Sequence, residues 1–261
     1  MTDKLIFDRD GAVATITFNN PEKRNAMSLE MWEGTTEHLR KLADDDGVRV
    51  LILRGAGGKA FVSGADISKF ESERSSQEAM AHYNAATSLT YKTLSEFPKP
   101  TLVQIDGYCV GGGLGVALSC DIRICDEGSR FAIPAAKLGL GYGLDGVKKL
   151  VDVVGPSYAK EIFFTARRFD ADEALRMGLV NRVVGVGQVA DTVREMAELI
   201  AANAPMTVNN TKYIINQTLL SSNERDVEGC EARVNACFAS EDYIEGRRAF
   251  MEKRAPQFKG R

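Results

Sequence analysis

Residues 48–53, Val48-Arg49-Val50-Leu51-Ile52-Leu53, form a nearly continuous apolar run. A strand that buries one face alternates apolar and polar residues. A run without alternation belongs to a strand covered on both faces, as in parallel sheets flanked by helices. Two further strand-like runs, 101–105 and 121–125, alternate with helical stretches at about 78–96 and 112–119. This order predicts an α/β chain with largely parallel strands in a right-handed coiled arrangement. Ahead of them, residues 5–18 read as a hairpin about Asp10-Gly11. Ser28 reads as the N-cap of a helix carrying Leu29, Trp32, Leu39 and Leu42. Beyond residue 184 the pattern turns helical, over 188–202, 206–219, 226–238 and 241–253. The division expected is a core over 1–190 and a C-terminal helical region over 191–261.

Apolar residues are 44% and charged residues 26% of the 261, enough for a sizeable core. A net charge of −3 argues against a nucleic-acid partner, which calls for a basic surplus. No apolar stretch of membrane-spanning length and no secretory h-region is visible. The five cysteines form no CxxC pair, so reduced thiols in a cytoplasmic protein are expected. Two histidines, His38 and His82, make a multi-histidine metal site a poor expectation.

Gly111-Gly112-Gly113 stands between a strand and a helix. One reading is a tight turn. The other is a backbone site, where a glycine opening a helix lets a ligand oxygen approach the first free N–H. Dinucleotide binding is disfavoured, because no acidic residue follows at the required distance. A second donor would come from Phe61-Val62-Ser63-Gly64-Ala65-Asp66-Ile67, where Gly64 permits a sharp turn and Ala65 presents its N–H.

The segments KAFVSGADI and DGYCVGGG, in that order and spacing, resemble the motifs of the crotonase superfamily, the enoyl-CoA hydratase/isomerase family. The likeness extends to NPEKRNAM, ALSCDIRIC, residues 166–184 and AFMEKRAPQF. It implies a crotonase-like ββα superhelix, a spiral core, with a C-terminal helical trimerisation region. It further implies a coenzyme A thioester as substrate, no permanently bound cofactor, and a homotrimer or dimer of trimers. The N–H groups of Ala65 and Gly112 would hold the thioester oxygen as an oxyanion hole. Lys23 and Arg24 would meet the phosphate end of coenzyme A, and Asn25, Ala26, Ala65, Asp66 and Ile67 would line its path. Phe250 and Lys253 match positions that reach coenzyme A, commonly across a subunit interface.

The chain departs from the family pattern at one point of chemistry. Gly115 and Ala135 stand where hydratases carry two glutamates that position and activate water. The small-residue stretch 139–146 offers Tyr142 and Asp145 as replacements. Tyr142 matches a tyrosine of the methylmalonyl-CoA decarboxylase branch. Alternatively its ring simply packs, and Asp145 caps a helix beginning near Gly146. Asp66, Glu71, His82 and Tyr83 read as structural or solvated. Cys109 lacks a basic partner for nucleophilic work. Three functions are compatible with these residues: a hydratase or isomerase in the broad sense, a malonyl-type acyl-CoA decarboxylase, and a non-catalytic acyl-CoA-binding protein.

Overall fold

In the computed structural model the described residues are 2–66, 69 and 75–261. Strands β1 (Leu5–Asp10) and β2 (Val13–Phe18) form the expected hairpin, with Leu5 opposite Phe18. Helix α1 (Leu29–Ala43) comes next in the chain, and Ser28 takes the N-cap position in extended conformation without a side-chain capping bond.

Three passes of one pattern come after it. The first is β3 (Val50–Gly55), β4 (Ala60–Val62) and α2 (Gln77–Ser95). The second is β5 (Thr101–Ile105), β6 (Tyr108–Val110) and α3 (Gly112–Leu118). The third is β7 (Ile122–Asp126) and β8 (Arg130–Ala132), then α4 (Ala135–Leu138) and α5 (Leu144–Thr165). The chain closes through β9 (Phe169–Asp170), α6 (Ala171–Arg176), β10 (Arg182–Val184) and α7 (Val189–Ala201). Helices α8 (Pro205–Thr218), α9 (Val227–Ala239) and α10 (Glu241–Glu252) end it.

The first strand of each pass enters one sheet and the second strand enters another. The sheet orders are β1-β2-β3-β5-β7-β10 and β4-β6-β8-β9. Pairing is parallel except in β1–β2 and β8–β9. The apolar run is explained by double coverage. Leu51 and Leu53 point into the main core, while Val50 and Ile52 point the other way, under Val189, Val193 and Ala197 of α7. Helix α7 thus straddles the expected boundary at 190 and packs on the sheet.

Arg123, on β7, holds the C-terminal end of α3. It is 6% exposed. Its Nε donates to the Leu179 carbonyl at 2.7 Å, and one terminal nitrogen donates to the carbonyls of Cys120 at 2.6 Å and Ala117 at 3.2 Å. Ala117 lies in the last turn of the helix, where its carbonyl also accepts from Cys120 N–H at 3.2 Å, and Cys120 lies two residues beyond it. Arg123→Met should remove the guanidinium donor from the Leu179 and Cys120 carbonyls and lower stability by about 3 kcal/mol, read as a fall in denaturation midpoint at unchanged slope.

Candidate active site

The parallel pairing of β4 with β6 sets the site. Ala60 pairs with Tyr108 and Val62 with Cys109, so both strands end at the same level. The chain then turns at Gly64, with φ 111°, and at Gly111, with φ 54° and ψ −117°. These turns touch. A Cβ on Gly111 would lie 3.8 Å from Gly64 Cα, and one on Gly64 would lie 4.0 Å from Gly112 N. The start of α3 sits so close to β4 that a Cβ on Gly113 would overlap the Val62 carbonyl oxygen. Glycine is required here by space as well as by backbone angle.

Ala65 forms an isolated parallel bridge with Met27. Met27 N–H donates to the Gly64 carbonyl at 2.8 Å, and Asp66 N–H donates to the Met27 carbonyl at 2.9 Å. Strand geometry then turns the N–H of Ala65 to the opposite side. Gly112 is the first residue of α3, whose N–H has no intrahelical acceptor. Among the described residues neither amide meets an acceptor.

The turn over 20–26 supports this loop. Arg24 and Asn25 both adopt left-handed backbone, with φ 52° and 57°. Asn25 is fully buried. Its Oδ1 accepts from Asn20 N–H at 2.9 Å, and its Nδ2 donates to the carbonyls of Ala56 at 2.9 Å and Ala60 at 2.8 Å. Asn25 is therefore a knot between the turn and β4. Ala26 is held in the same turn: its N–H donates to the Lys23 carbonyl and its carbonyl accepts from Asn20 Nδ2. Lys23 and Arg24 have separate roles. Lys23 Nζ pairs with the buried Asp66 carboxylate at 3.0 Å. The Arg24 guanidinium lies over the Tyr108 ring, 5.2 Å from its centroid, and Arg168 lies at 5.5 Å. Arg24, Arg168 and Lys137, with Tyr108, Ser63 and Val110, line a cavity of about 250 Å³ bordering the two glycine turns.

Residues 8–261 match the profile of the enoyl-CoA hydratase/isomerase family. The chain belongs to that family. A short-chain-enoyl-CoA hydratase of Clostridium acetobutylicum is 35% identical over 97% of this chain and 96% of its own. A carnitinyl-CoA dehydratase of Citrobacter koseri is 35% identical over the whole of both chains. Among solved structures, an enoyl-CoA hydratase/carnithine racemase from Magnetospirillum magneticum superposes with TM-score 0.94 at 35% identity, covering 100% of this chain and 97% of its own. The protein is an enzyme of the enoyl-CoA hydratase/isomerase family, of lyase or isomerase type, and its fold is the crotonase-like α/β spiral.

Positions 115 and 135, near the two glycine turns, carry no carboxylate. Gly115 lies one turn beyond Gly112, and the space its side chain would need is filled. A Cβ there would stand 2.5 Å from Tyr91 Oη. Tyr91 reaches in from α2, and its hydroxyl donates to the Gly112 carbonyl at 3.0 Å. The motifs did not reveal it. The available signal was its spacing of two helical turns from Tyr83, whose hydroxyl accepts from Trp32 Nε1 at 2.9 Å. Ala135 follows Pro134, whose Cδ is 3.9 Å from the Cβ position of Gly111, and brings no polar side chain.

Tyr142 is 37% exposed and packs edge-on against Phe163 at 5.1 Å. Burial of part of its ring pushes its phenol above the ordinary range. Asp145 does not cap α5. The helix begins at Leu144 with Gly143 as N-cap, earlier than expected, which puts Asp145 inside the first turn and exposed. There a carboxylate complements the helix dipole. His82 makes a surface pair with Glu33 at 2.9 Å, and Tyr83 is buried structure. The Cys109 thiol is wholly buried and pushed far up, away from nucleophilic use. Phe250 is 82% exposed and Lys253 is the left-handed cap of α10. Ile67 and Glu71 lie outside the described residues.

Gly64→Ala forces a Cβ into φ 111°. It should cost about 1–3 kcal/mol, whereas Gly141→Ala, with open space and ordinary φ, should leave the thermal midpoint unchanged. Equal midpoints for the two variants would contradict the strained geometry assigned to Gly64.

Proposed function

We propose that this enzyme processes an acyl-CoA thioester by holding its carbonyl oxygen between the N–H groups of Ala65 and Gly112. The observation that carries the reading is the contact of the two glycine turns, which leaves both amides without protein acceptors on neighbouring backbone. Adding or withdrawing charge at Cα or Cβ makes the thioester oxygen enolate-like. Two fixed donors then stabilise the transition state more than the ground state. The substrate class agrees with the names of the Clostridium and Citrobacter relatives, an enoyl-CoA hydratase and a carnitinyl-CoA dehydratase.

Coenzyme A is read as part of the substrate, with no resident cofactor. The cavity beside the turns suits its phosphates, because three cations and the face of Tyr108 surround it. Arg24 faces that cavity, while Lys23 acts through Asp66 to fix the loop of Ala65. Phe250 and Lys253 would join the ligand from a neighbouring subunit. Helices α8 and α9 have no buried residues within the single chain, in keeping with assembly as a trimer or a dimer of trimers. No helix among the described residues is long and apolar enough to cross a membrane.

A hydratase or isomerase in the broad sense would use Tyr142, with Asp145 nearby, to move protons. A specific observation favours a second reading: positions 115 and 135 carry no carboxylate. Decarboxylation of a malonyl-type acyl-CoA breaks the bond from Cα to the carboxylate and sends that pair into the enolate. CO₂ leaves and Cα takes a proton, so no strong base is needed. Tyr142, a neutral phenol, fits that last step.

Incubation with crotonyl-CoA and with methylmalonyl-CoA separates hydration from CO₂ release. Turnover of at least one is expected. Gly112→Pro deletes one donor at a helix position that accepts proline, and should lower kcat by about 10²–10³. Wild-type turnover in the folded variant would contradict the hole, and binding without turnover of either thioester would contradict both the hydration and the decarboxylation readings. Replacing Lys23 and Arg24 together by Gln should weaken acyl-CoA binding and flatten its salt dependence, measured by calorimetry. Unchanged affinity would refute their assignment.

A further inference from the structure

The Tyr91 phenol stands against Gly112 of the proposed hole and against Gly115, one turn further on, at once. Its oxygen is 2.5 Å from the Cβ position of Gly115 and 3.5 Å from that of Gly112. These residues are three apart on α3 and share one face. The ring is fixed by Trp32, edge-on at 5.5 Å, and Trp32 itself lies 3.4 Å from the Cβ position of Gly112. The hydroxyl is tied to the Gly112 carbonyl. Even a methyl group on residue 115 would collide with this oxygen, so Tyr91 and a side chain at 115 exclude one another.

We propose that Tyr91 is the specificity-determining residue of this site: its phenol occupies the place beside Gly112 from which a carboxylate on residue 115 would act, so that no carboxylate there activates water for addition at Cβ, and an enolate formed at the hole by loss of CO₂ takes its proton at Cα. This rests on the reading of Ala65 and Gly112 as the thioester site. Burial, and then the neighbouring phenols of Tyr142 and Tyr83, hold Tyr91 un-ionised far above the ordinary range. It donates a hydrogen bond and cannot serve as a base near neutral pH. The face of α3 beside Gly112 and Gly115 is therefore lined by Trp32 and the un-ionised Tyr91. Neither ring supplies a base to deprotonate water. The proton that ends the reaction forms the C–H bond at Cα and comes from solvent, by way of the partly exposed Tyr142.

Three proteins test this: wild type, Gly115→Glu and Tyr91→Ala/Gly115→Glu. Thermal midpoints read the shared space, and hydration of crotonyl-CoA reads the chemistry. Gly115→Glu alone should lower the midpoint and gain no hydration. Adding Tyr91→Ala should recover part of the midpoint and raise hydration on the order of tenfold or more over wild type. A wild-type midpoint for Gly115→Glu would overturn the proposal. So would a folded double variant that binds crotonyl-CoA and hydrates it no faster than wild type. Failure of crotonyl-CoA to bind any of the three, by direct titration, would remove the thioester site and this proposal with it.

Discussion

The register between β4 and β6 is the constraint on which the rest depends. Two three-residue strands, paired in parallel, end side by side, and each leads into a glycine turn. Because the strands come from successive passes of the same pattern, the turns occupy equivalent places and meet face to face. The meeting calls for glycine: Gly64 and Gly111 take positive φ with neighbouring backbone in contact, and a Cβ on Gly113 would overlap the Val62 carbonyl. The chemistry proposed for the site therefore uses main-chain N–H groups. Such donors need no reorganisation when charge develops on a ligand oxygen. Arg123 holds the far end of α3 and so fixes the position of Gly112 at its near end.

Charge is placed around this backbone centre with a clear division. Lys23 and Asp66 form a pair that ties the turn over 20–26 to the loop carrying Ala65, and Asn25 ties the same turn to β4. Three further cations, Arg24, Arg168 and Lys137, line the cavity with Tyr108. On the other side of Gly112 stand Trp32 and Tyr91, both uncharged. One side of the proposed hole is thus suited to an anion and the other to an apolar acyl group, as expected of a site for a phosphorylated thioester.

Much of this was legible in the residues. The run 48–53 reads as doubly covered because Val50 and Ile52 face α7 while Leu51 and Leu53 face the main core. The helices fall within one or two residues of their expected bounds where periodicity is strong, as in α2 and α7 to α10. The strands of the second sheet escaped, since two or three residues carry no period. Helix α5 escaped in part, because Gly143 and Gly155 disguise a helix that begins early and kinks. In the site, motifs pointed to residues near the glycines but not to their partners across space. Tyr91 is 21 positions from Gly112 and lies outside every motif, its one signal being the helical spacing from Tyr83. Asn25 sits within a motif, yet only the fold reveals that its amide is spent on Ala56 and Ala60.

The central claim is that two main-chain donors polarise a bound thioester carbonyl. Isotope-edited infrared difference spectroscopy, with ¹³C at the carbonyl of a saturated acyl-CoA, measures that polarisation directly. The carbonyl stretch should fall on binding to below its value in water, and the shift should shrink when the Gly112 N–H is removed. A bound thioester whose stretch stays at its aqueous frequency would contradict the claim.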